Sequence, residues 1–213
     1  MPHHLVTKLS PPIEREYEAW IIQGIEGYLS SLKVKYEVWA ISPQDETAWP
    51  ADQSLFVNSK LIGIQMKQAK MASGAIATDR LKWSLHHPSG QFELIQKHKE
   101  IFYCLPTFIN RDLRNNALEH CIFWKPRSDI DYNIWFDNSS ARTPYKCEKS
   151  SMRWGAFYES IISCESGIYL ETIEQASQHI ERIRSDYNEY VISREQVANI
   201  ETHLYLFVIK MQS

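Results

Sequence analysis

Two runs near the middle of the chain, 101–105 (IFYCL) closed by Pro106 and 121–124 (CIFW) followed by a second proline, are apolar at consecutive positions rather than alternate ones. A strand with one wet face alternates apolar and polar residues, so an unbroken apolar strand has to be covered on both faces. Proline cannot donate to a strand ladder, which makes it a natural stop for each run. Such strands demand helices above and below a sheet, and the chain supplies candidates. The segment 91–100 has helical composition before the first run, and 111–119 is helix-like between the two.

The flanking sequence extends this pattern. Ser10-Pro11-Pro12 reads as a helix start, with a capping hydroxyl, prolines in the first turn, and Glu14 and Glu16 near the positive end of the dipole. The helix is expected to run to residue 32 or 33, with Ile21, Ile22, Ile25, Leu29 and Leu32 as its apolar stripe. Carried backwards, the stripe meets Glu18 and then Glu14, so one end of the buried face is acidic and needs a partner. A strand at 36–41 (YEVWAI) and a loop at 42–50 (SPQDETAWP) follow. Strands at 54–57 and 61–67 are then joined by Asn58-Ser59-Lys60. The order up to Trp124 is helix, three strands, helix, strand, helix, strand, which predicts an α/β (α+β) fold with a central mixed sheet flanked by helices.

Beyond Lys125 the chain reads as scaffold. A polar excursion at 129–152 precedes a predicted strand at 154–163, an amphipathic helix at 171–187 with Ile173, Ala176, Ile180 and Ile183 in a stripe, and a closing strand at 203–210. We therefore divide the chain into a core, 1–125, and a C-terminal extension, 126–213, packed on the same domain.

At 213 residues and 44% hydrophobic, one compact core is expected. The start MPHHLVTKLSPP lacks the basic-then-apolar order of a secretory signal, and no apolar run approaches the roughly 20 residues of a membrane helix. The expectation is a cytoplasmic protein without a membrane partner. Cys104, Cys121, Cys147 and Cys164 are too far apart for a CxxC knuckle and read as reduced, mostly buried thiols. The net charge of −3 hides an asymmetry: residues 60–127 carry 11 Lys and Arg against 5 Asp and Glu, and the rest 12 against 21. Those cations are interleaved with Trp83, Phe92, Phe102, Tyr103, Phe108 and Trp124. A folded basic face able to meet phosphates is one reading, and a solvated surface is the other.

The third strand carries the chemistry. Alternate strand residues share a face, so Gly63, Gln65 and Lys67 point one way and Ile62, Ile64 and Met66 the other. Asp52 stands at the start of the partner strand, about level with them. With Glu18 on the first helix, Asp52 before the second strand and Gln65-Met66-Lys67 on the third, the chain from about 12 to 124 resembles the PD-(D/E)xK nuclease superfamily in its QxK variant, as in Mrr-like restriction nucleases. The resemblance implies a restriction-endonuclease-like αβββαβ core with Lys67, Asp52, Gln65 and Glu18 catalytic, and Asp52, Gln65 and Glu18 holding Mg²⁺, or Mn²⁺ in its place. The pattern departs at Pro50-Ala51-Asp52, where a residue separates Pro from Asp, so Asp45 and Glu46 are alternative acids.

Those residue types suit phosphodiester cleavage. Mg²⁺ takes oxygen ligands and polarises a phosphoryl oxygen, and a lysine can orient or deprotonate the attacking water. The resemblance implies a DNA nuclease of restriction, repair or defence against mobile elements, working as a homodimer or with a partner subunit. Gln68, Lys70, Arg80, Lys82 and Lys97 are the candidate nucleic-acid contacts. The alternatives are a non-catalytic nucleic-acid-binding or adaptor subunit of a multi-protein defence complex with a related fold, and an RNA-processing enzyme. On blander readings Lys67 is a solvated guard on an edge strand, Glu18 pairs with a lysine, and His86-His87 are surface or capping residues.

Overall fold

The computed structural model describes residues 9–40, 53–57, 60–71, 80–85, 91–126, 135–137, 151–192 and 204–210. The first helix, α1 (Glu14–Ser31), begins later than the Ser10 signal suggested: Ile13 is the cap, and its amide donates to Glu16 Oε2 at 2.9 Å in place of a hydroxyl cap. Tyr17, Ile21, Ile22, Ile25 and Leu29 form its buried face, whereas Leu32 falls past the last turn and is exposed.

Three strands follow, β1 (Lys35–Ala40), β2 (Gln53–Val57) and β3 (Lys60–Met66). Two short strands, β4 (Lys70–Met71) and β5 (Arg80–Lys82), precede the helix α2 (Gln91–Lys97) and the strand β6 (Ile101–Pro106). A 3-10 segment (Arg111–His120), broken at Asn116, replaces the expected α-helix and leads into β7 (Cys121–Trp124). Next come β8 (Trp135–Asp137), β9 (Ser151–Met152), α3 (Trp154–Ile162), β10 (Ile168–Tyr169), α4 (Ile173–Ile192) and β11 (Leu204–Lys210).

The sheet is mixed and curled. Its order is β1-β11-β2-β3-β6-β7-β9, with β10 pairing the start of β3, and β1 also pairs β2. β3 lies inside this sheet: it runs parallel to β6 from Gly63–Ile101 to Met66–Cys104, and antiparallel to β11 and β2 on its other side. The strands β4, β5 and β8 form a separate antiparallel ladder. Among the described residues no helix is long and apolar enough to cross a membrane.

Both faces of the inner strands are covered, as their composition requires. On one side Phe157 of α3 lies 4.9 Å from Phe102 and stacks on Phe123 at 4.4 Å, and Tyr28 of α1 meets Trp154 and Tyr158 edge-on. On the other, Phe92 of α2 packs on Tyr103 and Trp124, which stack at 6.0 Å. Close approach is bought with glycine at two positions. A Cβ on Gly63 would stand 2.9 Å from Ile101 Cγ1, and one on Gly24 would stand 2.9 Å from Leu118 Cβ where α1 crosses the 3-10 segment. The strand predicted at 154–163 is a helix instead. Trp154, Phe157, Tyr158 and Ile161 recur at helical spacing and are all buried, which decides against the strand preference of aromatic residues. Cys104 and Cys121 are buried thiols and Cys164 is an exposed one, while Cys147 lies outside the described residues.

The crossover from α2 to β6 is tied by a buried polar network. Glu100 is 3% exposed and accepts from His179 of α4 at 2.7 Å, with His98 at 3.4 Å, while its backbone carbonyl accepts from Gly63. The Lys125 ammonium donates to the carbonyls of Ile95, His98 and Ile101, closing the end of α2. Burial works to raise the Glu100 carboxyl, but the hydrogen bonds from His179 and His98 outweigh it and hold it well below the usual carboxylate range. Burial likewise pulls Lys125 down to about 7, against the charge of Glu100. Because the Glu100 carboxyl is depressed in the fold, its contribution is complete above the ordinary value of 4.5 and is lost only as the pH falls toward the folded value. Glu100→Gln is therefore expected to cost about 3 kcal/mol at pH 7. Urea midpoints should show that loss undiminished at pH 5 and shrinking below pH 4.5. A variant as stable as the parent at pH 7 would contradict it.

Candidate functional site

The candidate site is built at the carboxyl end of β3, where the strand leaves the sheet beside its parallel neighbour β6. Ligand sites in sheets of this kind tend to lie beyond the carboxyl ends of parallel strands. Every residue from Lys60 to Lys67 is buried, so Gln65 and Lys67 are interior groups. Lys67 is 5% exposed, one residue past the end of an interior strand, which removes the edge-guard reading. Burial pulls its ammonium down to about 8, while the Glu14 carboxylate favours the charged form.

Glu14 comes from the first turn of α1, and its Oε2 accepts from the Gln68 backbone amide at 2.9 Å. The Gln68 side chain turns back to donate to the Pro12 carbonyl at 2.8 Å. Two further contacts fix this end of α1. Arg111 holds Glu16 in a two-pronged ion pair at 2.8 and 2.7 Å and donates to the Ser10 carbonyl, and Tyr17 donates to the Phe108 carbonyl at 2.7 Å. The Arg111 guanidinium lowers the Glu16 carboxyl. Trp83 donates to the Pro106 carbonyl at 3.0 Å, so the segment after β5 covers the end of β6.

The amide of Gln65 is fully engaged. Its Nε2 donates to the Met66 carbonyl at 2.9 Å, and its Oε1 accepts from Gln91 Nε2 at 2.8 Å. Gln91, the first residue of α2, is 0% exposed, and its own Oε1 is buried without a hydrogen-bond partner among the described residues.

The expected site residues are thus distributed as follows. Gln65 and Lys67 share the buried end of β3, and Glu14 is the helix carboxylate whose charge acts on Lys67. Glu18 sits one turn further along α1, half-buried with its Oε2 shielded from solvent. Asp52, and with it Asp45 and Glu46, lies outside the described residues, as do His86 and His87. β2 begins at Gln53, and its register pairs Ser54 with Gly63. Of the expected nucleic-acid contacts, Gln68 faces inward, whereas Lys70 and Lys82 are exposed and directly opposite in the β4–β5 ladder. Arg80 is in β5, with its side chain outside the described residues. Lys97 is exposed at the far end of α2, where β6 begins, away from Lys67.

Sequence reasoning missed Gln91 altogether, because a glutamine opening a helix carries no mark of burial. Glu14 was in view as the acidic end of the stripe, but nothing local favoured it over Glu18.

Among the described residues no three His, Cys, Asp or Glu side chains are grouped to hold a metal ion. The oxygen donors near the end of β3 fall into two sets, Glu14 held by the Gln68 amide with Glu18 one turn on, and the Gln65 and Gln91 amides bonded to each other. By type, oxygen donors such as these suit a hard divalent cation such as Mg²⁺ better than a softer metal. Compared with protein-family models, with curated proteins and with solved structures, the chain matches none.

Proposed function

We propose that this chain is a metal-dependent nuclease that hydrolyses DNA phosphodiester bonds at the carboxyl end of β3. The observation that carries the reading is Lys67: a nearly fully buried lysine, lowered to about 8, two residues from a buried glutamine and within reach of the charge of Glu14. The order from α1 to β6 is helix, three strands of the main sheet, two short strands of the separate ladder, helix and strand, and it supports the reading because QxK stands on the third strand, as the PD-(D/E)xK resemblance implies.

Hydrolysis forms a bond from water oxygen to phosphorus, breaks the bond to the leaving alcohol and moves one proton off the water. Lys67 Nζ serves both sides of this change. As the free amine it accepts the water proton, and as the ammonium it offsets charge gathering on the phosphoryl oxygens. A value near 8 keeps both forms populated around neutrality. Glu14 and Glu18, with Asp52, the residue before β2 in sequence, are the carboxylates that would hold Mg²⁺, whose contribution when bound would be to polarise the phosphoryl oxygen. The exposed pair Lys70 and Lys82 holds two like charges face to face, an arrangement that a phosphate relieves.

A second reading, a non-catalytic nucleic-acid-binding or adaptor subunit with a related fold, draws on one observation: both polar atoms of Gln65 are already used inside the protein. The two readings part on cleavage of plasmid and single-stranded DNA with Mg²⁺, Mn²⁺ or EDTA. Lys67→Ala is expected to lower metal-dependent cleavage about 10²–10³-fold with its circular dichroism unchanged. Full cleavage by a folded Lys67→Ala protein would end the first reading, and salt-sensitive DNA binding by a parent that never cuts would favour the second. For the surface pair, Lys70→Ala and Lys82→Ala are each expected to weaken DNA binding uniformly across sequences and to reduce the salt slope by about 1. Fluorescence anisotropy at several salt concentrations measures both.

A further inference from the structure

The separate ladder β4-β5-β8 begins three residues after Lys67, so Lys70 stands at most about 11 Å from it by the reach of the chain. Its register sets Lys70 opposite Lys82 and Lys82 opposite Trp135, one row across all three strands. The next row is Met71, Leu81 and Phe136. Residues directly opposite in an antiparallel ladder share a face, and neighbours along a strand take opposite faces. Leu81 is 0% exposed, whereas Lys70 and Lys82 are exposed, so the apolar row is the inner one and the row of Lys70, Lys82 and Trp135 is the outer one. Arg80, two residues before Lys82 and on the same face, stands opposite Asp137, which offsets its charge. The lysine row holds no acid.

We infer that this row takes one nucleotide of a single strand, with its phosphate on Lys70 and Lys82 and its base stacked on Trp135, so that the chain acts on single-stranded rather than duplex DNA. This rests on the nuclease reading for DNA as the source of the phosphate, and deepens it by naming the form of the substrate. Strands of a ladder lie about 4.8 Å apart, so the row spans about 10 Å, the scale of a nucleotide from its phosphate to its base. Two lysines in line repel each other, and an indole on an outer face gains nothing from water. A phosphate offsets the first and a base covers the second. Inside a duplex the faces of each base are closed by its neighbours, and only an unpaired, unstacked base offers one to an aromatic side chain. The short reach from Lys67 to Lys70 sets this nucleotide close to the bond that is cut, where the row selects the strand without touching the reacting atoms.

The test uses the full chain and fluorescence anisotropy with three labelled probes of equal length: an oligothymidylate, an abasic strand and a duplex. The parent is expected to bind the abasic strand about tenfold more weakly than the oligothymidylate, because the stacking is lost while the phosphates remain. Trp135→Ala is expected to lose about tenfold on the oligothymidylate and to bind the duplex as the parent does, and Trp135→Phe to recover most of that loss. Equal binding of the abasic strand and the oligothymidylate overturns the inference with no variant needed, and so does a Trp135→Ala loss that is the same on duplex and single strand. A parent that cleaves DNA while Trp135→Ala leaves single-strand binding unchanged overturns this inference and spares the nuclease. A parent whose single-strand binding depends on Trp135 but that never cuts does the reverse. A parent that neither binds nor cuts DNA overturns both.

Discussion

A lysine placed where water scarcely reaches is the constraint on which the end of β3 depends. Removing an ammonium from water is costly, and Lys67 responds by a lowered proton affinity, with Glu14 as the charge that works against the loss. Glu14 can do this only if the start of α1 is fixed against the sheet. Three independent contacts do the fixing: Gln68 to Glu14 and the Pro12 carbonyl, Arg111 to Glu16 and the Ser10 carbonyl, and Tyr17 to the Phe108 carbonyl. None of them lies within a few residues in sequence of its partner, so the tertiary fold, not the local helix, sets the electrostatics of the lysine.

The two ends of the β3–β6 pair make an instructive contrast. At the start of β6 the polar groups are satisfied: Glu100 has two histidines, and Lys125 has three carbonyls. That is the pattern of a structural network, which rigidifies a buried junction when its members are paired. At the carboxyl end the donors are in place and one acceptor, Gln91 Oε1, is unmet. Burial alone does not separate scaffold from site in this protein, since Glu100 and Gln91 are both enclosed. Whether the enclosed polar atoms are all partnered does.

Much of the frame was legible because it rests on local signals. The unbroken runs of β6 and β7, the long stripe of α1 and the order of its three following strands all emerge from periodicity and from proline stops. Where the reading failed, two local signals competed. In 154–163 the aromatic and β-branched content favoured a strand, but the spacing of Trp154, Phe157, Tyr158 and Ile161 served a helix laid on β6 and β7. Other features had no local signal at all. β11 pairs with β1, β2 and β3 from the far end of the sequence, and the burial of Gln91 follows from the strand it meets, 26 residues away. Lys67 was legible as a residue of interest from its place in QxK, whereas its enclosure just past the end of an interior strand was not.

The most direct measurement is the titration of Lys67 itself, followed by NMR of its Nζ in protein labelled at lysine and assigned through Lys67→Arg. The expected midpoint is about 8, and it is expected to fall further in Glu14→Gln, because the burial remains while the carboxylate that favours the ammonium is gone. A midpoint at the ordinary lysine value of 10.5, unmoved by Glu14→Gln, would contradict the buried, Glu14-facing lysine on which the site is built.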